Sequence, residues 1–405
     1  MDRRDPADLM REIGSLAGCL RAATAAEAPA ARIVAEPANP EEIAEIVRKC
    51  ERDSLSLAPL GAARTLAQLR LEPAAIGISL ERMNRIIDYV PDDMTVVAEA
   101  GLTLGALNTV AGAHGQRLPC DPAGPDSCTL GAMVAAAKAG PLRLSEGVPR
   151  DLLIGVRFVG HGGRLVHGGG RVVKNVAGYD LMKVMTGSFG TLGIITETTF
   201  KVRPIPPNYA VAIASFDSAG DAFAAARRAE EAAPLIHLEV VSNLLGGKFD
   251  RPGRCVVLAG FGGIRTEADY HRARTSNALR RSPQVLTGSE AAAFYERLRD
   301  FDLTEYAIVA QLAVLPAELP RCLRACGGGF IAHAASGVAR IFLPDDREPI
   351  EIHDAVARWR EIAREGRGHL RILSIRDREP NRAGFAMFDQ PPEPAMRLMR
   401  SLKAT

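Results

Sequence analysis

The sequence predicts an α+β protein in two parts, and three observations carry that prediction. The chain has 405 residues, enough for a large core and too many for one ordinary domain. Between Asp180 and Val202 a short helix, a run of glycines spaced by three and an alternating strand follow one another. Beyond Pro204 a β-α-β-β-α order occurs twice, the pattern of two ferredoxin-like halves sharing one antiparallel sheet.

Residues 1–29 are expected to form a peripheral arm, with an amphipathic register in Leu9, Ile13, Leu16 and Leu20. Asn39 caps a helix that has Pro40 in its first turn and Ile43, Ile46, Val47 and Cys50 on its buried side. A strand over 55–59 leads into Leu60-Gly61-Ala62-Ala63-Arg64-Thr65. A further strand over 95–98 precedes a helix opened by Thr103, with Leu104, Leu107 and Val110 on one face. The chain then turns through Pro119, Pro122, Gly124 and Pro125. Thr129 caps a helix over 130–139, in which Gly131 and Ala132 would let its first amides come close to a phosphate.

Residues 152–159, the turn Gly160-His161-Gly162-Gly163 and residues 164–167 read as a hairpin. A dinucleotide fingerprint needs a helix after its glycines, and a strand follows here, so that reading is excluded. His161 and His167 have no third ligand at metal spacing. Asp180 caps a short helix with Leu181, Val184 and Met185 on its apolar side, and Gly187 stops it. Gly187, Gly190 and Gly193 then lead into Ile194, Thr196, Thr198, Phe200 and Val202, alternating as a half-buried strand does. A glycine turn of this kind lets a flat ligand or a phosphate lie on backbone N–H groups, and it equally serves as a tight connection.

The string as a whole is more specific. Lys174 to Leu181 (Lys-Asn-Val-Ala-Gly-Tyr-Asp-Leu) and Gly187 to Glu197 (Gly-Ser-Phe-Gly-Thr-Leu-Gly-Ile-Ile-Thr-Glu) resemble the FAD-domain signature of the vanillyl-alcohol oxidase and p-cresol methylhydroxylase (PCMH) superfamily. Leu118 to Pro122, Thr129 to Ala135 and Val148 to Asp151 narrow the resemblance to the E-subunit family of glycolate oxidase. The motifs cover about the first half of the chain.

The resemblance implies a PCMH-type two-subdomain FAD-binding domain over 30–206. An antiparallel-sheet cap over 207–380 and a C-terminal segment over 381–405 returning toward the FAD domain would follow. It implies FAD contacts at Gly61, Ala62, Ala63, Arg64 and Thr65 in the pyrophosphate loop, at Pro119 and Asp121, and at Thr129, Gly131 and Ala132. Further contacts would come from Lys174, Asn175, Gly178, Tyr179, Gly187, Ser188, Gly190, Gly193, Ile194 and Ile195. Two departures stand out. The pyrophosphate loop has one glycine and two alanines where two or three glycines are usual, and Phe189 stands where the catalytic 2-hydroxy-acid dehydrogenases of the superfamily carry Glu. The loop also lacks the His through which some relatives attach the cofactor, so FAD is expected to be noncovalent.

In the second half, strands are expected over 209–216, 235–242 and 254–261, with helices over 218–232 and 266–281. The order recurs with strands over 306–314, 330–334, 338–342 and 370–375 and helices over 317–326 and 350–365. Cys322 and Cys326 share a helical face and read as packing residues. His333, His353 and His369 read as isolated, no metal is expected, and no catalytic base is recognisable. A last helical register over 391–405 includes Met396, Leu398, Met399 and Leu402.

The formal net charge is +2 with acidic and basic residues evenly mixed, which argues against a nucleic-acid surface. Early acidic residues and the absence of a sustained apolar run before Pro29 argue against a leader or a membrane span. A cytoplasmic protein is expected, with membrane association only through partners. Cys19, Cys50, Cys120, Cys128, Cys255, Cys322 and Cys326 are scattered and lack CxxC spacing, so reduced thiols are expected and no iron-sulfur ligation is encoded.

The implied function is oxidation of a short 2-hydroxy acid, with this chain as an FAD-binding subunit beside a catalytic flavoprotein subunit and an iron-sulfur subunit. The alternatives are a non-catalytic subunit that keeps the flavin fold for assembly, and a stand-alone FAD-linked oxidase.

Overall fold

A computed structural model describes residues 10, 20–61, 73–170, 179–301, 305–346, 349–376, 388–389 and 393–404. The chain divides into two compact units. The first comprises Met1–Gly140, Gly147–Ile205 and Glu393–Thr405, and the second Pro141–Glu146 and Pro206–Pro392.

In the first unit β1 (Leu20–Ala22), β2 (Ala31–Ala35), β3 (Leu57–Pro59) and β4 (Ala74–Ile78) form a sheet in the order β1-β2-β4-β3. The last three are parallel and β1 is an antiparallel edge. Leu20, expected in a helical register, is therefore a strand residue, and it packs on the core around Ile33 and Ile43. The helix Pro40–Arg52 crosses over between β2 and β3. The Asn39 side chain accepts the Glu42 amide at 2.9 Å, and the helix buries Ile43, Ile46, Val47 and Cys50.

The second sheet comes from β5 (Ile86–Val90), β6 (Thr95–Glu99), β8 (Leu153–Val159), β9 (Leu165–Gly169) and β10 (Ile194–Lys201), in the order β5-β6-β10-β8-β9. The short β7 (Gln116–Arg117) pairs with β11 (Arg203–Pro204). β8 and β9 are antiparallel neighbours joined by a single 3₁₀ turn, His161–Gly163, so these glycines close a hairpin. Glu51 holds the turn by accepting from the Gly162 amide at 2.8 Å and pairing with His161 at 2.9 Å.

The second unit is one antiparallel sheet of eight strands: β12 (Asn208–Phe216), β13 (His237–Val241), β14 (Cys255–Gly263), β15 (Gln284–Thr287), β16 (Ile308–Ala313), β17 (Gly329–His333), β18 (Val338–Leu343) and β19 (His369–Ile375). Their order, β15-β12-β14-β13-β17-β18-β16-β19, is the ferredoxin-like arrangement twice over, with the second strand of each half meeting at the β13–β17 seam. Both β15 and the following helix Gly288–Arg299 escape the sequence reading, because Gln284–Thr287 is short and at most half-buried.

Helices Ala219–Ala232, Leu319–Cys326 and Pro349–Glu365 cover one face of this sheet around the fully buried Trp359, whose indole N–H donates to the Cys326 carbonyl at 2.9 Å. Cys322 and Cys326 pack in this layer, and burial pushes the Cys326 thiol up to about 12. His333, which reads as isolated in the sequence, meets His237 at Glu239 on the other face. Among the described residues no helix is long and apolar enough to cross a membrane.

Candidate functional site

The parallel strands β3 and β4 end side by side at Pro59 and Ile78, and a crevice opens beyond the carboxyl ends of such strands. In the first unit that crevice is walled by Pro59, Leu60 and Gly61, by Ala100 after β6, and by Thr129 to Ala136. The start of β10 at Ile194 completes the cleft.

Small residues make the opposing walls. Gly61 has φ +54°, and a Cβ there would stand 2.8 Å from the Ala132 Cβ. A side chain would close the cleft at this point.

The glycine loop is held by the neighbouring helix. Asp180 caps Leu181–Met185 by accepting the Lys183 amide at 3.2 Å, and its carboxylate pairs with the Lys183 ammonium at 2.7 Å. The loop then attaches to the end of helix Leu130–Ala135. The Gly187 amide donates to the Val134 carbonyl at 3.0 Å and the Phe189 amide to the Ala135 carbonyl at 2.8 Å. Phe189 lines the cleft with a left-handed backbone, φ +52°, a conformation that L side chains adopt at a cost and that recurs at functional sites. Gly190 follows at φ +74°, and a Cβ there would stand 2.2 Å from Pro59 Cγ.

Of the residues expected at the site, Gly61, Thr129, Gly131, Ala132, Gly190, Gly193, Ile194 and Ile195 come together in the cleft. Gly187 and Ser188 shape the loop outside its lining, and the buried Ser188 hydroxyl has no hydrogen-bond partner among the described residues. Pro119 and Asp121 are buried outside the lining, with Asp121 Oδ1 accepting the Gly140 amide at 3.0 Å. Tyr179 is 93% exposed and does not line the cleft. Ala62, Ala63, Arg64, Thr65, Lys174, Asn175 and Gly178 lie outside the described residues.

One expected mechanism is corrected. The helix that Thr129 caps ends at Ala135 rather than 139, and its first amides are already engaged. Leu130 donates to Leu102 and Gly131 to Ala100, at 2.9 and 2.8 Å, and Ala132 donates to the Thr129 hydroxyl at 3.3 Å. The helix start therefore offers small side chains and close approach rather than open N–H groups.

Sequence reasoning missed Pro59, Leu80, Glu81 and Lys138, which also line the cleft. Lys138 is the signal that was available, a lone cation just after the small-residue helix. Its ammonium makes no ion pair among the described residues, which suits it to an anionic group. An apolar cleft with glycine-thin walls and one open cation fits a flat, extended ligand that carries phosphate.

Residues 31–169 match the family model described as an FAD binding domain. The chain is 41% identical over 122 residues to the glycolate oxidase subunit GlcE of Escherichia coli, covering 30% of this chain and 35% of that protein. It is 33% identical over 191 residues to the mitochondrial D-lactate dehydrogenase [cytochrome] of Arabidopsis thaliana, covering 47% of this chain and 33% of that one. The chain thus spans about a third of the length of these curated relatives. An alkyldihydroxyacetonephosphate synthase structure superposes with a TM-score of 0.74 at 17% identity, over 98% of this chain and 83% of that one. Substrate-bound p-cresol methylhydroxylase does so with 0.69 at 14% identity, over 93% and 90%. Residues 31–169 thus match an FAD binding domain, and the chain shares the fold of these two structures.

Proposed function

We propose that this chain is the FAD-binding subunit of a glycolate-oxidase-like complex that oxidises a short 2-hydroxy acid to a 2-oxo acid. The observation that carries the reading is the cleft between Pro59, Ala132 and Gly190, built largely within or beside the segment that matches an FAD binding domain. Similarity to glycolate oxidase and D-lactate dehydrogenase chains supports the substrate class.

In this reading Gly61, Gly131, Ala132 and Gly190 give room for the cofactor, and Lys138 neutralises phosphate charge. Bound FAD supplies the two-electron acceptor. The six described cysteines are all buried, which leaves onward electron transfer to an iron-sulfur subunit and a second flavoprotein subunit.

The protein is purified with its partners and precipitated with acid. FAD is expected in the supernatant, as the absence of His in residues 60–65 predicts. Flavin in the pellet contradicts noncovalent attachment, and none in either fraction favours a structural subunit that keeps the fold. Sustained reduction of the physiological acceptor by the isolated chain favours a stand-alone oxidase.

Lys138→Ala should weaken FAD binding about tenfold, an effect of about 1.4 kcal/mol that shrinks as salt is added. Equilibrium dialysis at two ionic strengths measures it. An affinity unchanged at low salt removes Lys138 from the site.

A further inference from the structure

The lining of the first unit's cleft includes two charged side chains of opposite sign, Lys138 and Glu81. They belong to different walls. Lys138 follows helix Leu130–Ala135, whose last carbonyl holds the glycine loop through the Phe189 amide. Glu81 stands just beyond the end of β4, against the turn Ala100-Gly101 that follows β6. There the Leu80 carbonyl accepts the Met83 amide at 2.9 Å and the Gly101 amide donates to the Met83 carbonyl at 3.0 Å, while a Cβ on Gly101 would overlap the Leu80 carbonyl.

This backbone is held, but the Glu81 carboxylate is not. The Glu81 amide donates to the hydroxyl of the buried Ser79 at 3.4 Å, and the Ser79 amide donates to the Ala35 carbonyl at 2.9 Å. The cations nearest in sequence are turned elsewhere. Arg82 Nη1 donates to the Glu36 carbonyl at 2.9 Å, and Arg85 Nη2 pairs with Glu99 at 2.7 Å. Among the described residues the Glu81 side chain makes neither a hydrogen bond nor an ion pair.

An open carboxylate in a cleft that takes a phosphate-bearing ligand has to face something other than phosphate, because like charges brought together repel. Lys138 answers the phosphates, so Glu81 answers uncharged donors of the same ligand. An ionised carboxylate only accepts, through two oxygens side by side. The ring of a ribose holds two neighbouring hydroxyls in cis and so offers two donors at matching spacing, whereas the ribityl hydroxyls lie along an open chain. Hydrogen bonds to an ionised acceptor are the strong ones, and in an unrelated dinucleotide fold an acidic side chain takes the ribose 2′-hydroxyl.

We infer that Glu81 is a specificity-determining residue for the nucleotide half of the ligand. Its carboxylate accepts from the 2′- and 3′-hydroxyls of the adenosine ribose and rejects a nucleotide that carries phosphate at the 2′ position. The identity of the ligand rests on the reading of this cleft as the FAD site, whereas the choice of hydroxyl over phosphate follows from the sign of the charge.

Flavin-depleted full-length protein is titrated calorimetrically with ADP, 2′-deoxy-ADP and ADP 2′-phosphate, and FAD uptake is measured on the same samples. ADP should bind about tenfold more tightly than 2′-deoxy-ADP, the size of one hydrogen bond to a charged group, and more tightly still than ADP 2′-phosphate. Glu81→Ala should bring ADP to the level of 2′-deoxy-ADP and leave 2′-deoxy-ADP within about twofold of its parent affinity. Glu81→Gln, which keeps one acceptor, should fall between the two. Glu81→Arg should reverse the order and favour ADP 2′-phosphate, since a guanidinium matches phosphate.

Equal binding of ADP and 2′-deoxy-ADP by the parent overturns the assignment. So does a Glu81→Ala protein with the parent's melting temperature that keeps the parent's preference for ADP within about twofold. A parent that takes up FAD and shows no preference among the three nucleotides leaves the cofactor site standing and removes Glu81 from it. A parent that ranks the nucleotides as expected, in a complex where no 2-hydroxy acid reduces the flavin, supports Glu81 and removes the proposed function. A chain that binds neither FAD nor ADP removes both.

Discussion

Gly190→Val is expected to yield a soluble protein without flavin. A Cβ at this position would stand 2.2 Å from Pro59 Cγ, and the backbone is at φ +74°, where a β-branched residue is strained. The strain alone amounts to about 1–3 kcal/mol, and the overlap with Pro59 forces the loop and the end of β3 apart. Both lie on the wall of the cleft. From the sequence, Gly190 is a place where the cofactor needs room. In the structure it is first a place where Pro59 needs room, so the loss of flavin follows from displacement of the wall. The ratio of flavin to protein absorbance in the purified variant, with circular dichroism as a control for folding, measures the effect. Gly190→Ala should fall between the two, and full flavin content in soluble Gly190→Val would remove this loop from the cofactor site.

Glu239→Ala should be the most destabilising single change in the second unit. It leaves His237 and His333 buried without the carboxylate that both address, and breaking a buried pair by removing one partner costs about 3–5 kcal/mol. Chemical denaturation of parent and variant reads the difference directly. A loss below about 1 kcal/mol, the size of an ordinary substitution, would mean that the network contributes little to the fold.

The same network sets a pH dependence. Burial raises the Glu239 pKa, but its contacts with His237 and His333 outweigh burial and hold the group below the ordinary carboxylate range. His333 is also held below its ordinary value, chiefly by burial. Both shifts have the same sign of consequence, since the unfolded chain binds protons that the folded chain refuses. Stability should therefore decline as pH falls below about 6.5, where unfolded histidine titrates, and decline further below about 4.3, where unfolded glutamate does. Melting temperatures measured from pH 8 to 4 should show both stages, and His333→Phe should flatten the first.

What was legible in the sequence is what local chemistry determines. Asn39, Thr103, Thr129, Asp180 and Ser218 each cap the helix their neighbours predict, because a side-chain oxygen reaches only two or three residues ahead. The two passes of the second unit were legible for the same reason, since periodicity is a local property. β15 was not, because a short strand that is at most half-buried carries little alternation.

The contacts that decide the chemistry join residues far apart in the chain. Pro59 against Gly190, the use of the Gly131 amide by Ala100 and the pairing of Glu239 with His333 across 94 residues have no signature in spacing. His333 looked isolated because its partner is supplied by strand pairing alone.

The β13–β17 seam has a consequence for how the chain can go wrong. Each half of the second unit completes a four-stranded sheet by itself, and the halves are joined by the pairing of two strands that are buried throughout, by the Glu239–His333 hydrogen bond across it and by a shared apolar core. A half made alone, or reached first during synthesis, would present that strand as an open apolar edge, β13 with Leu238 and Val240 or β17 with Phe330 and Ile331. Such an edge is a template for any matching strand, including the equivalent edge of another copy. Interchange between molecules at this seam would preserve nearly every contact of the native sheet, so the length of chain linking the halves governs whether the protein closes on itself or on its neighbour.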